Sequence, residues 1–285
     1  MTAASETPMK ILVGTLHCIE NELEECLASI RSQTHAAHHT FVISGKPNKE
    51  ANDELYQTFM DRAGEVDLFI RIDADMVLSR DTFFEEVVGR FSSEPDLEHL
   101  MISLYDWMTD RPIMGMHVYR SVHRWNLGSE AYFLDLQDDK HRIVVDRDQL
   151  APAAVHCGNP SPFQAFHFGL HKAVKFTQLA REDVDISHRN NHWRHFKHLD
   201  RHYRRSGDHR LGLARLGFLH ALAHRYDSRH VDFKCAETHA AFETYKELSR
   251  REMDARARSF GPVGWSVLPF KLRRRAAEKF LRKQG

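Results

Sequence analysis

Three short apolar runs, at residues 11–14, 40–44 and 67–72, are each followed by a stretch whose apolar residues recur at helical spacing. That alternation constrains the fold more than any other feature of the chain. A strand that gives way to a helix before the next strand pairs most readily in parallel, and the helices then cover the faces of the sheet. The expected architecture is α/β, a doubly wound and mostly parallel sheet. Ligands on such sheets bind beyond the carboxyl ends of the strands.

Local signals place the individual elements. Asn21 with Glu24 makes a capping-box pattern, after which Leu23, Leu27 and Ile30 recur on one helical face. The second run ends at the turn Gly45-Lys46-Pro47-Asn48, and Leu55 and Phe59 mark a helix over 52–62. The third run delivers Asp73-Ala74-Asp75 at its carboxyl end. Ser79 or Asp81 is then placed to cap a helix carrying Phe83, Phe84, Val87, Val88 and Phe91 on its inward side. From Leu100 the pattern turns β-like, with MISLY, MGMHVY and RIVV as candidate strands. Beyond about Lys175 strand signals fade. Leu211, Leu213, Leu216, Leu219 and Leu222 mark a buried helical face there, with Arg210, Arg215 and Arg225 outside it.

The 285 residues carry no net charge, but the zero is a cancellation. Residues 1–175 hold 16 Lys and Arg against 27 Asp and Glu, a balance of −11, and residues 176–285 reverse it to +11. The asymmetry predicts two modules, the basic one facing something anionic or else packing a basic helical face on the acidic domain. The four cysteines, Cys18, Cys26, Cys157 and Cys235, form no CxxC pair and read as reduced thiols. With no signal-like leader and no apolar run of about 20 residues, a cytoplasmic protein is expected.

The chemistry starts from the two aspartates. A diphosphate departs badly at neutral pH unless a cation or fixed positive charge takes up its developing charge, and carboxylate oxygens suit Mn²⁺ and Mg²⁺. The stretches ELEECLASIRSQTH (22–35), with Ser29, Gln33 and Thr34, and DLFIRIDADMVLSRDTF (67–83) resemble the family 2 glycosyltransferases in the expected order and at ordinary spacing. The resemblance covers roughly the first third of the chain. It implies the GT-A fold, a Rossmann-like sheet over 1–175 with a C-terminal helical extension over 176–285. It further implies a metal-dependent, inverting transfer from a nucleotide-sugar donor to a glycan or lipid-linked acceptor. Asp73 and Asp75 are then the metal ligands, Asp73 also touching the donor, and Thr15, His17 and Glu20 lie beside the nucleotide. Thr15-Leu16-His17-Cys18 and Ser44-Gly45-Lys46-Pro47 depart from the family pattern after the first and second strands, which leaves the donor base open.

Such enzymes frequently add a histidine ligand from late in the domain. His156, ending an apolar run before a Gly-Asn-Pro-Ser-Pro loop, is the first choice and His171 the second, each against the alternative of an ordinary hydrogen-bonded histidine. Asp106 and Asp135 follow candidate strands and are the nominated catalytic bases, each set against the more ordinary alternative of a solvent-facing turn residue. The tail GPVGWSVLPFKLRRRAAEKFLRKQG joins an apolar stretch to a basic helix, the profile of a segment docked on an anionic inner membrane face or packed on the domain. A nucleotidyltransferase is the competing enzyme, weakened by the lack of a glycine-rich phosphate loop after the first strand. A non-catalytic nucleic-acid or membrane-binding protein is the third reading, with nucleic acid disfavoured.

Overall fold

The computed structural model describes residues 8–127, 143–146, 150–177 and 186–261. The chain divides into two compact units, one running to Gln164 with Asp232–Cys235 added, the other comprising Ala165–Val231 and the chain from Ala236 on.

The first unit is an α/β domain. Its elements run β1 (Ile11–His17), α1 (Leu23–Arg31), β2 (His38–Ser44), α2 (Asn48–Asp61), β3 (Leu68–Asp73), β4 (Met76–Leu78) and α3 (Phe83–Ser93), then β5 (His99–Asp106), β6 (Arg111–Arg120), β7 (Ile143–Asp146) and β8 (Ala154–His156). The sheet order is β2-β1-β3-β6-β5-β8-β4, with β7 also paired to β5. Alternate residues of the central strands feed two cores. Ile11, Val13, Leu68, Ile70 and Ile72 pack with Cys26 and Ile30 of α1 and with Phe83, Phe84, Val87 and Phe91 of α3. Leu12, Ile43 and Phe69 face the other way, onto Leu55, Tyr56 and Phe59 of α2 and onto Trp125. Both faces of the sheet are therefore covered, which is why β1 reads as an unbroken apolar run.

The sheet is mixed, which corrects the expectation of a mostly parallel one. Strands β2, β1 and β3 are parallel, but β6 joins β3 antiparallel, and β5 pairs β6 antiparallel. The cause is the connection between β5 and β6. Residues 107–110 form a tight turn, with Asp110 at φ 52°, and so short a link reverses the chain instead of crossing over. A second correction concerns α1, whose first turn has Glu22 at the cap position and no side-chain capping bond. Asn21 is used elsewhere: its Nδ2 donates to the carbonyl of Asn159 at 2.9 Å. Neither Ser79 nor Asp81 caps α3, whose cap position is Thr82.

The second unit is helical: the greater part of α4 (Pro162–Thr177), α5 (Ile186–Ser206), α6 (His209–Ala223), a 3-10 turn at Ser228–Val231, α7 (Ala236–Glu243) and α8 (Arg250–Ser259). Helix α6 is buried on nearly all sides, as befits a run of Leu, Ala, Gly and Phe. Two glycines let it cross α4 closely. A Cβ at Gly169 would lie 1.7 Å from the Ala214 carbonyl oxygen, and one at Gly217 would lie 2.1 Å from that of Phe166. Arg215 is not on a solvated face as its spacing predicted. Its guanidinium pairs with Asp200 and Asp254 at 2.7 Å each and lies over the Tyr203 ring. Among the described residues, no helix is long and apolar enough to cross a membrane.

Candidate functional site

The site is built where three strands end together. β8 lies between β4 and β5, so that His156 is paired with Met76 on one side and with Asp106 on the other. One residue beyond that register the Cys157 N–H donates to the Asp75 carbonyl at 2.8 Å. Short strands thereby set four polar side chains against one another. His156 Nδ1–H donates to Asp106 Oδ1 at 2.8 Å, and His156 Nε2 lies 3.3 Å from Asp75 Oδ2. The Cys157 thiol donates to that same Asp75 oxygen at 3.0 Å. Asp106 is 1% exposed, and its Oδ2 accepts from the Thr109 N–H and hydroxyl.

Burial by itself would keep His156 neutral. The charge of Asp75 and the hydrogen bonds to Asp106 and Asp75 outweigh it, and hold the imidazole well above its ordinary pKa. Burial and the Asp75 charge push the Cys157 thiol well up, against the pull of His156. Among the described residues, Asp75, His156 and Cys157 form the group able to hold a metal ion, with one ligand atom from each within 4.8 Å of the others.

Ser29 of the first helix, with Gln33 and Thr34 just after it, does structural work beside this site. Ser29 Oγ accepts the Leu78 N–H at 3.0 Å, and Gln33 donates to the Arg80 carbonyl and accepts the Phe84 N–H. The Thr34 N–H reaches the Asp81 carbonyl. Helix α1 and the residues just after it thus clamp both ends of the segment that follows Asp75. On its other side Glu22 is fully buried, accepting from Gln164 Nε2 and the Asn159 N–H at 2.9 Å each. That pair ties the start of α1 to the loop after Cys157.

The other expected site residues fall as follows. Thr15 is buried on β1. His17 ends that strand, its Nδ1 2.9 Å from Ser44 Oγ, and burial lowers its pKa. Asp73 stands in register with Leu16 at the end of β3, and its carboxylate is held by Arg71 through contacts of 3.0 and 3.3 Å. Arg71 also donates to the Tyr56 hydroxyl. Glu20 accepts the Cys18 and Ile19 N–H groups. Burial, opposed by those bonds and assisted by the charges of Asp75 and Asp73, raises its carboxyl to about 7. His171 lies on α4 in the second unit, where burial and the neighbouring Lys175 push its pKa well down. Asp135 lies outside the described residues.

No protein-family model and no curated protein matches the sequence. One solved structure with a remote likeness is the mannosyltransferase PcManGT from Pyrobaculum calidifontis in complex with GDP-Man and Mn²⁺. It is 12% identical, with 90% of this chain and 86% of that chain covered at a TM-score of 0.37. A likeness so remote assigns neither family nor chemistry.

Sequence reading passed over Cys157, Glu22 and Arg71. Cys157 had a signal, its adjacency to His156. Arg71 sits two residues before Asp73, the spacing that puts both side chains on one face of a strand.

Proposed function

We propose that the chain is a glycosyltransferase of the GT-A type, related to family 2, that uses a divalent cation to draw a sugar from a nucleotide-diphosphate donor. One observation carries this reading. Asp75, from the Asp-x-Asp triplet beyond a parallel strand, meets His156 from a separate strand at 3.3 Å, with a buried carboxylate behind the imidazole. A carboxylate and an imidazole backed in this way are the ligands a divalent cation needs while positions stay open for phosphate. A bound cation would supply stabilisation of the charge that develops on the departing diphosphate.

The protein's own groups divide the remaining tasks. Thr15 and His17 end β1 beside Asp73, at the carboxyl edge where a nucleotide binds such a sheet. Asp106 is better read as the residue that orients His156 than as the base for the acceptor, because both of its oxygens are already engaged. Glu20 fits the proton-accepting task better: burial raises its carboxyl to about 7 in the metal-free protein, and it stands near enough to Asp75 and Asp73 to feel their charge.

The test is a thermal-shift screen of nucleoside diphosphates and their sugars, each with and without Mn²⁺, Mg²⁺ and Zn²⁺. One cognate nucleotide should stabilise the protein only in the presence of a cation, by about 2.7 kcal/mol at a hundred times its Kd. Asp75→Asn should abolish that stabilisation in a folded protein. Cation-independent binding, or none with any nucleotide, contradicts the proposal.

A further inference from the structure

The resemblance calls for a hard cation held by aspartates, yet the side chains that converge are of another kind. Asp73 is occupied by Arg71, and beside Asp75 stand an imidazole nitrogen and a sulfur. The edges of the triangle formed by Asp75 Oδ2, His156 Nε2 and Cys157 Sγ measure 3.3 Å from oxygen to nitrogen, 3.0 Å from oxygen to sulfur and 3.7 Å from nitrogen to sulfur. Oxygen, nitrogen and sulfur ligands bound about 2.0–2.3 Å from one tetrahedral cation stand about 3.3–3.6 Å apart. The triangle therefore needs shifts of only a few tenths of an ångström to become one face of a tetrahedron.

We propose that Cys157 is a direct metal ligand and that the cation of this site is a zinc-class ion, held by Asp75, His156 and Cys157, with the fourth position left to the donor diphosphate. The assignment rests on the reading of this site as the cation site of the proposed transferase, and changes which cation it takes. Thiolate sulfur favours Zn²⁺ and Co²⁺ over Mg²⁺ and Mn²⁺, whose preference is for oxygen. As the bonds form, the thiol proton and the Nε2 proton of His156 leave for solvent and the sulfur and nitrogen lone pairs go to the cation, with no change of oxidation state.

Two features of the chain serve this geometry. Cys157 has φ 51°, a left-handed conformation uncommon for a residue with a side chain, and its N–H is fixed to the Asp75 carbonyl. Together they hold the sulfur against the Asp75 carboxylate. The bond from His156 Nδ1–H to the buried Asp106 leaves Nε2 as the coordinating atom, the usual support for a metal-bound histidine.

The experiment uses the full chain stripped of metal and titrated with Co²⁺, then with Zn²⁺ against a chromophoric chelator, in the wild type, Cys157→Ser and Asp75→Asn. The wild-type Co²⁺ complex should show a thiolate-to-cobalt charge-transfer band in the near ultraviolet. Cys157→Ser should lose that band and bind Zn²⁺ at least tenfold more weakly, with Mn²⁺ affinity little changed. Asp75→Asn should weaken Zn²⁺ but keep the band at higher cobalt. Absence of the band in the wild type, or wild-type Zn²⁺ affinity in Cys157→Ser, overturns the assignment. Nucleotide binding is scored separately. Mn²⁺-supported binding equal in wild type and Cys157→Ser, without Zn²⁺ support, sinks this inference and leaves the transferase. Thiolate-dependent Zn²⁺ binding with no nucleotide binding supports the ligand set and sinks the transferase.

Discussion

Each of the two units buries a histidine, and their surroundings are opposite. In the first, His156 stands between the carboxylates of Asp75 and Asp106, which hold it well above its ordinary pKa despite burial. In the second, His220 stands between phenol hydroxyls, Nδ1 2.8 Å from that of Tyr245 and Nε2 3.0 Å from that of Tyr226. Burial first, then the nearby His224, Arg256 and His230, lower it to about 4. Carboxylate neighbours make a buried imidazole a cation, or a ligand once a metal displaces the proton. Hydroxyl neighbours make it a neutral strut. With 21 histidines in the chain, that difference separates a site residue from a packing residue.

The largest effect should come from removing the carboxylate behind His156. Asp106→Ala strips a buried imidazolium and the Thr109 donors of their partner, and should cost about 3–5 kcal/mol by urea denaturation of the metal-free protein. Asp106→Asn keeps the shape but misdirects the ring, and should weaken Zn²⁺ binding about 10–100-fold. If both variants match the wild type in stability and metal affinity, the carboxylate environment has no part in setting the state of His156.

Acid should find the other histidine. His220 has a folded pKa of about 4 against an ordinary 6.5, so its neutral form favours the fold above pH 6.5. That contribution is lost as pH falls from 6.5 toward 4, about 3 kcal/mol in all for a group so buried. His156, with its raised pKa, acts in the reverse sense: its contribution is complete below pH 6.5 and is lost as pH rises through the folded value. In a titration of metal-free protein labelled at histidine, followed by NMR, His156 should titrate above the ordinary 6.5 and His220 should still be neutral near pH 5. Two ordinary titrations near 6.5 would erase the contrast.

A smaller change sharpens it. Tyr226→Phe removes one hydroxyl from His220 and should cost about 1 kcal/mol, leaving Zn²⁺ affinity at the Asp75 site unchanged. A matching loss of metal affinity would show that the two regions are not separable.

These contrasts also explain what the chain discloses unaided. The α/β alternation through β3 was legible because each apolar run is bounded by turn residues and followed by helical periodicity, and Asp75 stood out because it ends such a run. The mixed sheet was not legible, since a four-residue turn at 107–110 decides the direction of β6 and carries no Asn-Gly or Gly-rich signature. Cys157 was visible only as the neighbour of His156, because β8 is three residues long and only its register with β4 and β5 sets the sulfur beside Asp75. Ser29, Gln33 and Thr34 were visible as a pattern, but their task of clamping the segment after Asp75 appears only in hydrogen bonds spanning about 50 residues.

The most direct measurement is a crystal of the full chain grown with Zn²⁺ and examined by anomalous scattering on either side of the zinc edge. A zinc peak is expected about 2.0–2.3 Å from Asp75 Oδ2, His156 Nε2 and Cys157 Sγ, with Asp73 still on Arg71. A peak bound by Asp73 and Asp75 without Cys157, or an empty triangle in saturating zinc, would contradict it.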